Sequence, residues 1–189
     1  MFFLWHRQLG HMSKKGMEKL SCLGYVPAFC FSDFQVCEHC LYGKQTQSPH
    51  KRGSTRKIEP LLLVHSDVCG PMPTVSMGGA SYFVTFIDDF SRKVWVYPLR
   101  RKDEVLSLFQ KFITLVENQS GKKVKCLRSN NGGEYVSRIF QEFCDSKGIK
   151  RELTAPYNPP QNGVAERMNR TIQERVQSML SNSNLPNGF

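Results

Sequence analysis

At 189 residues the chain has room for one full domain and a small accessory module, since domains usually run to about 100–150 residues. Hydrophobic residues at 40% and charged residues at 22% exclude a disordered chain, and no apolar run approaches the roughly 20 residues of a membrane helix. The net charge of +10, from 26 Lys and Arg against 16 Asp and Glu, points to a polyanionic partner, of which nucleic acid is the commonest.

The opening residues, Met1-Phe2-Phe3-Leu4-Trp5-His6, are too short an apolar run and too soon interrupted for a secretory signal. The seven cysteines are therefore expected as reduced thiols or metal ligands in an intracellular chain, nuclear if it acts on DNA. Residues 1–43 hold His6, His11, Cys37 and Cys40. A Cys-x-x-Cys pair presents two thiolates to one metal, and two histidines five positions apart on a helix can face the same point. Together they supply the four N/S ligands of a closed, structural zinc site. Such a site would explain how about forty residues with a thin core stay folded. Unrelated His and Cys residues reach the same spacing by chance, and His39 stands between the cysteines as a competing ligand. Cys22 and Cys30 read as ordinary thiols.

Residues 44–60 are polar and end at Pro60, as linkers do. They carry Lys44, Lys51, Arg52, Arg56 and Lys57, with no acid between Glu38 and Glu59. A solvated linker and a phosphate-contacting one both fit.

From residue 61 the pattern alternates between strand and helix. Residues 61–69 read as a buried strand carrying Asp67. Residues 81–88 and 93–99 are rich in aromatic and β-branched side chains and form a hairpin around Asp89-Phe90-Ser91-Arg92. Pro98 places the second of them at an edge or near its end. Residues 103–119 show helical spacing, with Val105, Leu108, Phe109, Phe112, Ile113 and Val116 on one face. A short strand over 123–127 follows, then a helix over 137–147 stopped by Gly148, a strand over 149–154, a loop over 156–161 and a final helix over 162–181. The order predicts an α/β fold, a mixed five-stranded sheet flanked by helices.

Three stretches of this second domain carry candidate chemistry: Asp67 inside an apolar strand, Asn130-Asn131-Gly132-Gly133-Glu134 after a strand, and Glu166 near the start of the last helix. Acids at strand ends and on an adjacent helix can converge on Mg²⁺ or Mn²⁺, which take oxygen ligands. Two such ions can activate an attacking oxygen and stabilise a leaving one at phosphorus. A lone buried Asp in a strand is equally at home as a local structural group.

Residues 4–13 (Leu-Trp-His-Arg-Gln-Leu-Gly-His-Met-Ser) and 37–45 (Cys-Glu-His-Cys-Leu-Tyr-Gly-Lys-Gln) resemble the pre-integrase zinc module of copia-type retrotransposon polyproteins. Residues 82–97, 127–135 and 154–170, including Pro-Tyr-Asn-Pro-Pro-Gln-Asn-Gly-Val-Ala-Glu-Arg, resemble the retroviral-type integrase core. The resemblance implies a ribonuclease-H-like core over 61–182 behind a helical zinc module over 1–43, a basic linker over 44–60 and a tail over 183–189. It implies 3′-end processing and strand transfer on DNA by an Asp, Asp, Glu triad that holds Mg²⁺ or Mn²⁺, in a self-associating protein with no membrane role.

Asp67 falls on the first triad position and Glu166 on the third. The second falls on Asn130, and residues 131–165 are the thirty-five that the family places between the last two. The spacing is intact and the carboxylate is missing. Asn offers one neutral carbonyl oxygen and an NH₂ that cannot coordinate a cation, so this copy is expected to fold and bind DNA with little strand transfer. Glu134 belongs to the family pattern and is not expected to swing in as a replacement. Pro160, where the family tends to have Gln, stiffens the loop before the last helix. Lys125, Arg128, Arg151, Arg167 and Arg170, with Lys44, Lys51 and Arg52, are candidates to hold phosphates, each equally readable as a solvated charge. In the family a protease precedes the zinc module and reverse transcriptase follows the core, so the chain reads as a fragment. A non-catalytic, zinc-containing DNA-binding or assembly relic, or a host-co-opted module, is the alternative that Asn130 favours. An RNase-H-type nuclease shares the fold, but the zinc module and the Asn-Gly-Val-Ala-Glu-Arg helix argue against it.

Overall fold

The computed structural model describes residues 2–29, 37–43, 56–154 and 162–188. Its contacts divide the chain into two compact units, residues 1–49 with 170–187, and residues 50–169 with 188. Among the described residues, no helix is long and apolar enough to cross a membrane.

The first unit contains α1 (Phe2–Gln8), α2 (Lys14–Cys22), α3 (Glu38–Gly43) and the later turns of α7 (Gly163–Ser183). Ser13 caps α2 by accepting the Gly16 N–H at 3.3 Å. Gly43, which ends α3, lies so close to α7 that a Cβ there would meet the Ser178 side chain and, at 3.0 Å, the Glu174 carbonyl. Only glycine allows that approach. His11 departs from expectation: it does not share a helix with His6. Helix α1 stops at Gln8, and Gly10 (φ +62°) and His11 (φ +54°) form a left-handed turn beyond it.

The second unit is built on a five-stranded sheet of order β3-β2-β1-β4-β5. Its strands are β1 (Val64–Cys69), β2 (Tyr82–Asp88), β3 (Val94–Leu99), β4 (Cys126–Ser129) and β5 (Lys150–Leu153). The first three pair antiparallel, while β1 pairs parallel with β4 and β4 with β5. Helices α4 (Val105–Ser120), α5 (Gly133–Val136) and α6 (Arg138–Ser146) complete it. The core joins Val64, Val84 and Phe86 of the sheet to Phe109, Phe112 and Ile113 of α4 and Phe140 of α6. Phe86 stacks on Phe112 at 4.7 Å between ring centroids, and Phe109 on Phe140 at 5.4 Å.

The mixed sheet and flanking helices follow the sequence reading, with local shifts that have physical causes. Strand β1 begins at Val64, not residue 61, because Leu61 adopts φ +63° and donates its N–H to Asp88 Oδ1 at 2.9 Å. Strand β4 lies later than expected because the Val124 N–H is taken by Glu117 Oε1 at 3.1 Å. Helix α4 is preceded by a 3₁₀ turn (Lys102–Glu104) in which Glu104 Oε1 accepts the N–H groups of Arg100 and Arg101 at 3.1 and 2.7 Å. Helix α5, four residues long, was not expected, being too short to show a period.

Candidate metal centres

In the first unit, His6, His11, Cys37 and Cys40 come together, with one ligand atom from each lying within 4.8 Å of all the others. His6 Nδ1 donates to the Met12 carbonyl at 2.8 Å, which fixes its tautomer and leaves the Nε2 lone pair facing the cluster. Nε2 lies 3.1 Å from His11 Nδ1 and 3.3 Å from Cys40 Sγ, and His11 Nδ1 lies 3.5 Å from each of the two sulfurs. Metal bonds of about 2.0–2.1 Å to nitrogen and about 2.3 Å to sulfur imply tetrahedral edges of roughly 3.3–3.8 Å. Four of the separations lie near those edges and the remaining pairs within 4.8 Å, so the donor set suits one tetrahedral ion with side chains at all four positions. Both histidines and Cys37 are buried. His39, the competing ligand, is outside the quartet and sets its Nδ1 3.0 Å from Ser181 Oγ.

In the second unit, the strand order sets the chemistry. The parallel register of β1 and β4, Val64 with Leu127 and His65 with Arg128, carries Asn130 to the side of Asp67. Helix α7 is tied to β1 at its start, where Asn162 Nδ2 donates to the Ser66 carbonyl at 3.2 Å and the Asn162 carbonyl accepts the Ala165 and Glu166 N–H groups. That tether sets Glu166 and Asn169, three residues apart on one face of α7, against Asp67. Burial, then the Glu166 carboxylate, push Asp67 up to about 6, against hydrogen bonds from Asn169 and the Val68 N–H, with Glu134 adding a further rise.

Both Asp67 oxygens are capped by amides. Asn130 Nδ2 donates to Oδ1 at 2.8 Å, and Asn169 Nδ2 donates to Oδ2 at 3.0 Å. The far end of each amide is held as well: Gly132 N–H donates to Asn130 Oδ1 at 3.0 Å, and the Thr85 hydroxyl donates to Asn169 Oδ1 at 2.8 Å. Turning Asn130 over would face its NH₂ to the Gly132 N–H and its oxygen to Asp67 Oδ1, and turning Asn169 over would set its oxygen against Asp67 Oδ2, so both orientations are determined. Asp67 and Glu166 fit a hard dication as carboxylates do. The third position does not fit one, since it presents an N–H donor to Asp67 where an anionic oxygen should stand.

The candidate phosphate ligands separate. Arg128 binds Glu152 through Nε and Nη2 at 3.1 and 2.7 Å, and Arg151 donates to the Tyr135 carbonyl at 2.7 Å and lies over the Phe140 ring. Lys125, Arg167 and Arg170 are exposed. Lys44, Lys51, Arg52 and Pro160 lie outside the described residues. Sequence reasoning missed Asn169 and Asn162, although their spacing of three and four from Glu166 was a usable signal. It also missed a buried hydrogen bond at the start of β1, between His65 and Asp89. His65 Nε2 meets Asp89 Oδ1 at 2.9 Å, and Arg92 reaches the same oxygen at 3.0 Å. Burial pushes His65 down, against the pull of Asp89.

An integrase core domain family matches residues 59–159, and a GAG-pre-integrase domain family matches residues 1–45. Over 186 residues the chain is 54% identical to the retrovirus-related Pol polyprotein from transposon TNT 1-94 of Nicotiana tabacum. That alignment takes in 98% of this chain and 14% of the polyprotein. Among solved structures, a chain in the cryo-EM structure of the simian T-cell lymphotropic virus intasome in complex with PP2A regulatory subunit B56 gamma superposes with a TM-score of 0.59 at 25% identity. The superposition covers 79% of this chain and 52% of that one.

Proposed function

Because the chain belongs to the integrase core domain family, we propose that it is a retrotransposon integrase segment whose own strand-transfer chemistry is impaired at Asn130. Its N-terminal quartet holds a structural zinc ion through His6, His11, Cys37 and Cys40. Its core binds DNA, the element's ends and the target, and associates with further copies of the chain, with its work in the nucleus. The family relationship and the net charge of +10 support the choice of DNA.

One observation carries the impairment: the Asn130 amide turns its NH₂, not an oxygen, toward Asp67 at 2.8 Å. A neutral residue at that position removes one negative charge from a site that must neutralise cations. Metal-ligand stabilisation of a transition state is worth several kcal/mol, and each ~1.4 kcal/mol is tenfold in rate. Losing it lowers strand transfer by on the order of a hundredfold or more. The same observation favours a second reading, a DNA-binding or assembly module with no chemistry of its own.

The test is a strand-transfer assay with Mg²⁺ or Mn²⁺ on the zinc-loaded chain and its Asn130→Asp variant. Joining by the variant alone, at least about a hundredfold above wild type, is the expected result. Robust Mg²⁺-dependent joining by the wild-type chain would falsify the impairment. Tight DNA binding by both without joining by either would favour the second reading.

A further inference from the structure

We propose that Asn130 is an internal substitute for a cation: its amide closes the acidic site with a hydrogen bond, so that the core is stable without divalent metal. The inference rests on the proposed reading of Asp67, position 130 and Glu166 as a former metal site, and it concerns what the replacement does, not only what it removes.

An acidic residue at 130 would set a carboxylate against Asp67, whose environment is already made anionic by Glu166 and Glu134. Such a cluster repels itself unless a cation lies among its oxygens or one carboxyl takes up a proton. Asn130 removes the repulsion and adds a donor. Gly132 N–H holds its Oδ1 at 3.0 Å, which aims its Nδ2 at Asp67 Oδ1, 2.8 Å away. On the opposite oxygen, Asn169 is aimed in the same way by Thr85 on β2. The Asp67 carboxylate thus receives a directed N–H on each oxygen, one from the loop after β4 and one from α7. Hydrogen bonds to a charged group are among the stronger ones in a protein. A cation entering at Asp67 Oδ1 would have to displace the Asn130 amide.

The experiment is thermal unfolding of the full zinc-loaded chain, followed by a probe of the core, in buffer freed of divalent ions by a chelating resin and again with Mg²⁺. Wild type, Asn130→Ala and Asn130→Asp are compared, and zinc content is measured in each so that any shift belongs to the core. Without Mg²⁺, Asn130→Ala melts at least about 4 °C below wild type, and Asn130→Asp lower still. Added Mg²⁺ raises Asn130→Asp and leaves wild type within about 1 °C of its metal-free value. An alanine variant that melts with wild type overturns the proposal, as does a wild-type chain that gains as much from Mg²⁺ as Asn130→Asp. If both variants melt low but Asn130→Asp gains nothing from Mg²⁺, the internal hydrogen bond stands and the reading of a former metal site fails.

Discussion

The two units of this chain are held together by different physics. In the N-terminal unit the buried polar residues are His6, His11 and Ser178, two of them members of the His/Cys quartet, with only Met17, Val26, Cys37 and Leu180 as buried apolar companions among the described residues. In the sheet-containing unit sixteen buried apolar residues form one continuous cluster, and the acidic site sits at its margin. The difference decides what the loss of one ligand does. A four-ligand site that substitutes for a hydrophobic core cannot spare a ligand without losing the fold. A site on the edge of an independent core can lose one, and the surrounding amides close the gap.

The largest effect that would test this contrast is at the quartet. Cys40→Ser removes one of two thiolates, and structural zinc binding contributes about 10–16 kcal/mol in comparable small modules. The expected result is loss of bound zinc and of hydrogen-exchange protection in α1 and α2, with β1, β2 and α4 protected as before. Retention of zinc and of that protection by the variant would sink the idea that metal replaces the core there.

The reciprocal change is in the aromatic cluster. Phe109 is fully buried, with ring centroids 5.5 Å from Phe86 and 5.4 Å from Phe140. Phe109→Ala should cost about 3–5 kcal/mol in denaturant unfolding of the core, by lost transfer energy and the cavity left behind. Zinc content should stay at one per chain. Loss of zinc alongside the core would break the comparison and show that the units unfold together.

How far these features could be read from sequence followed from their range along the chain. Strands β2 and β3 and helix α4 carry their periods in runs of six to sixteen residues, long enough for alternation or helical spacing to declare itself. The His/Cys quartet was legible because Cys-x-x-Cys is a local constraint. The turn that carries His11 was not, since a left-handed histidine depends on the neighbouring Gly10 and on where the ring must go. At the acidic site the thirty-five residues between positions 130 and 166 single out Asn130, but which way its amide faces was not legible. Whether Asn130 presents oxygen or nitrogen is decided by Gly132 on one side and Asp67, sixty-three residues away in sequence, on the other. The His65–Asp89 pair likewise joins residues that only the β1–β2 hairpin register brings together.

The smallest expected effect separates the units by the sign of their response to pH. With the proposed zinc bound, which requires neutral histidines and thiolates, the N-terminal unit should lose stability as pH falls. Asp67 works the other way in the core when divalent metal is absent. Its carboxyl is raised from 3.8 to about 6, so between those values the folded chain holds a proton that the unfolded chain has released. Stability from this group is fully present below about pH 3.8 and is lost as pH rises through about 6. The group's contribution to the difference is on the order of 2 kcal/mol. Other core groups titrate nearby, His65 and Asp89 among them, and both have shifted values of their own. The informative quantity is therefore the difference between wild type and Asp67→Asn, measured by denaturant unfolding of the core from pH 4 to pH 7. That difference should move against wild type as pH rises. Asp67→Asn forfeits one amide contact, which offsets the whole curve but does not tilt it, so a flat difference would mean that the Asp67 carboxyl is not held up by burial and Glu166.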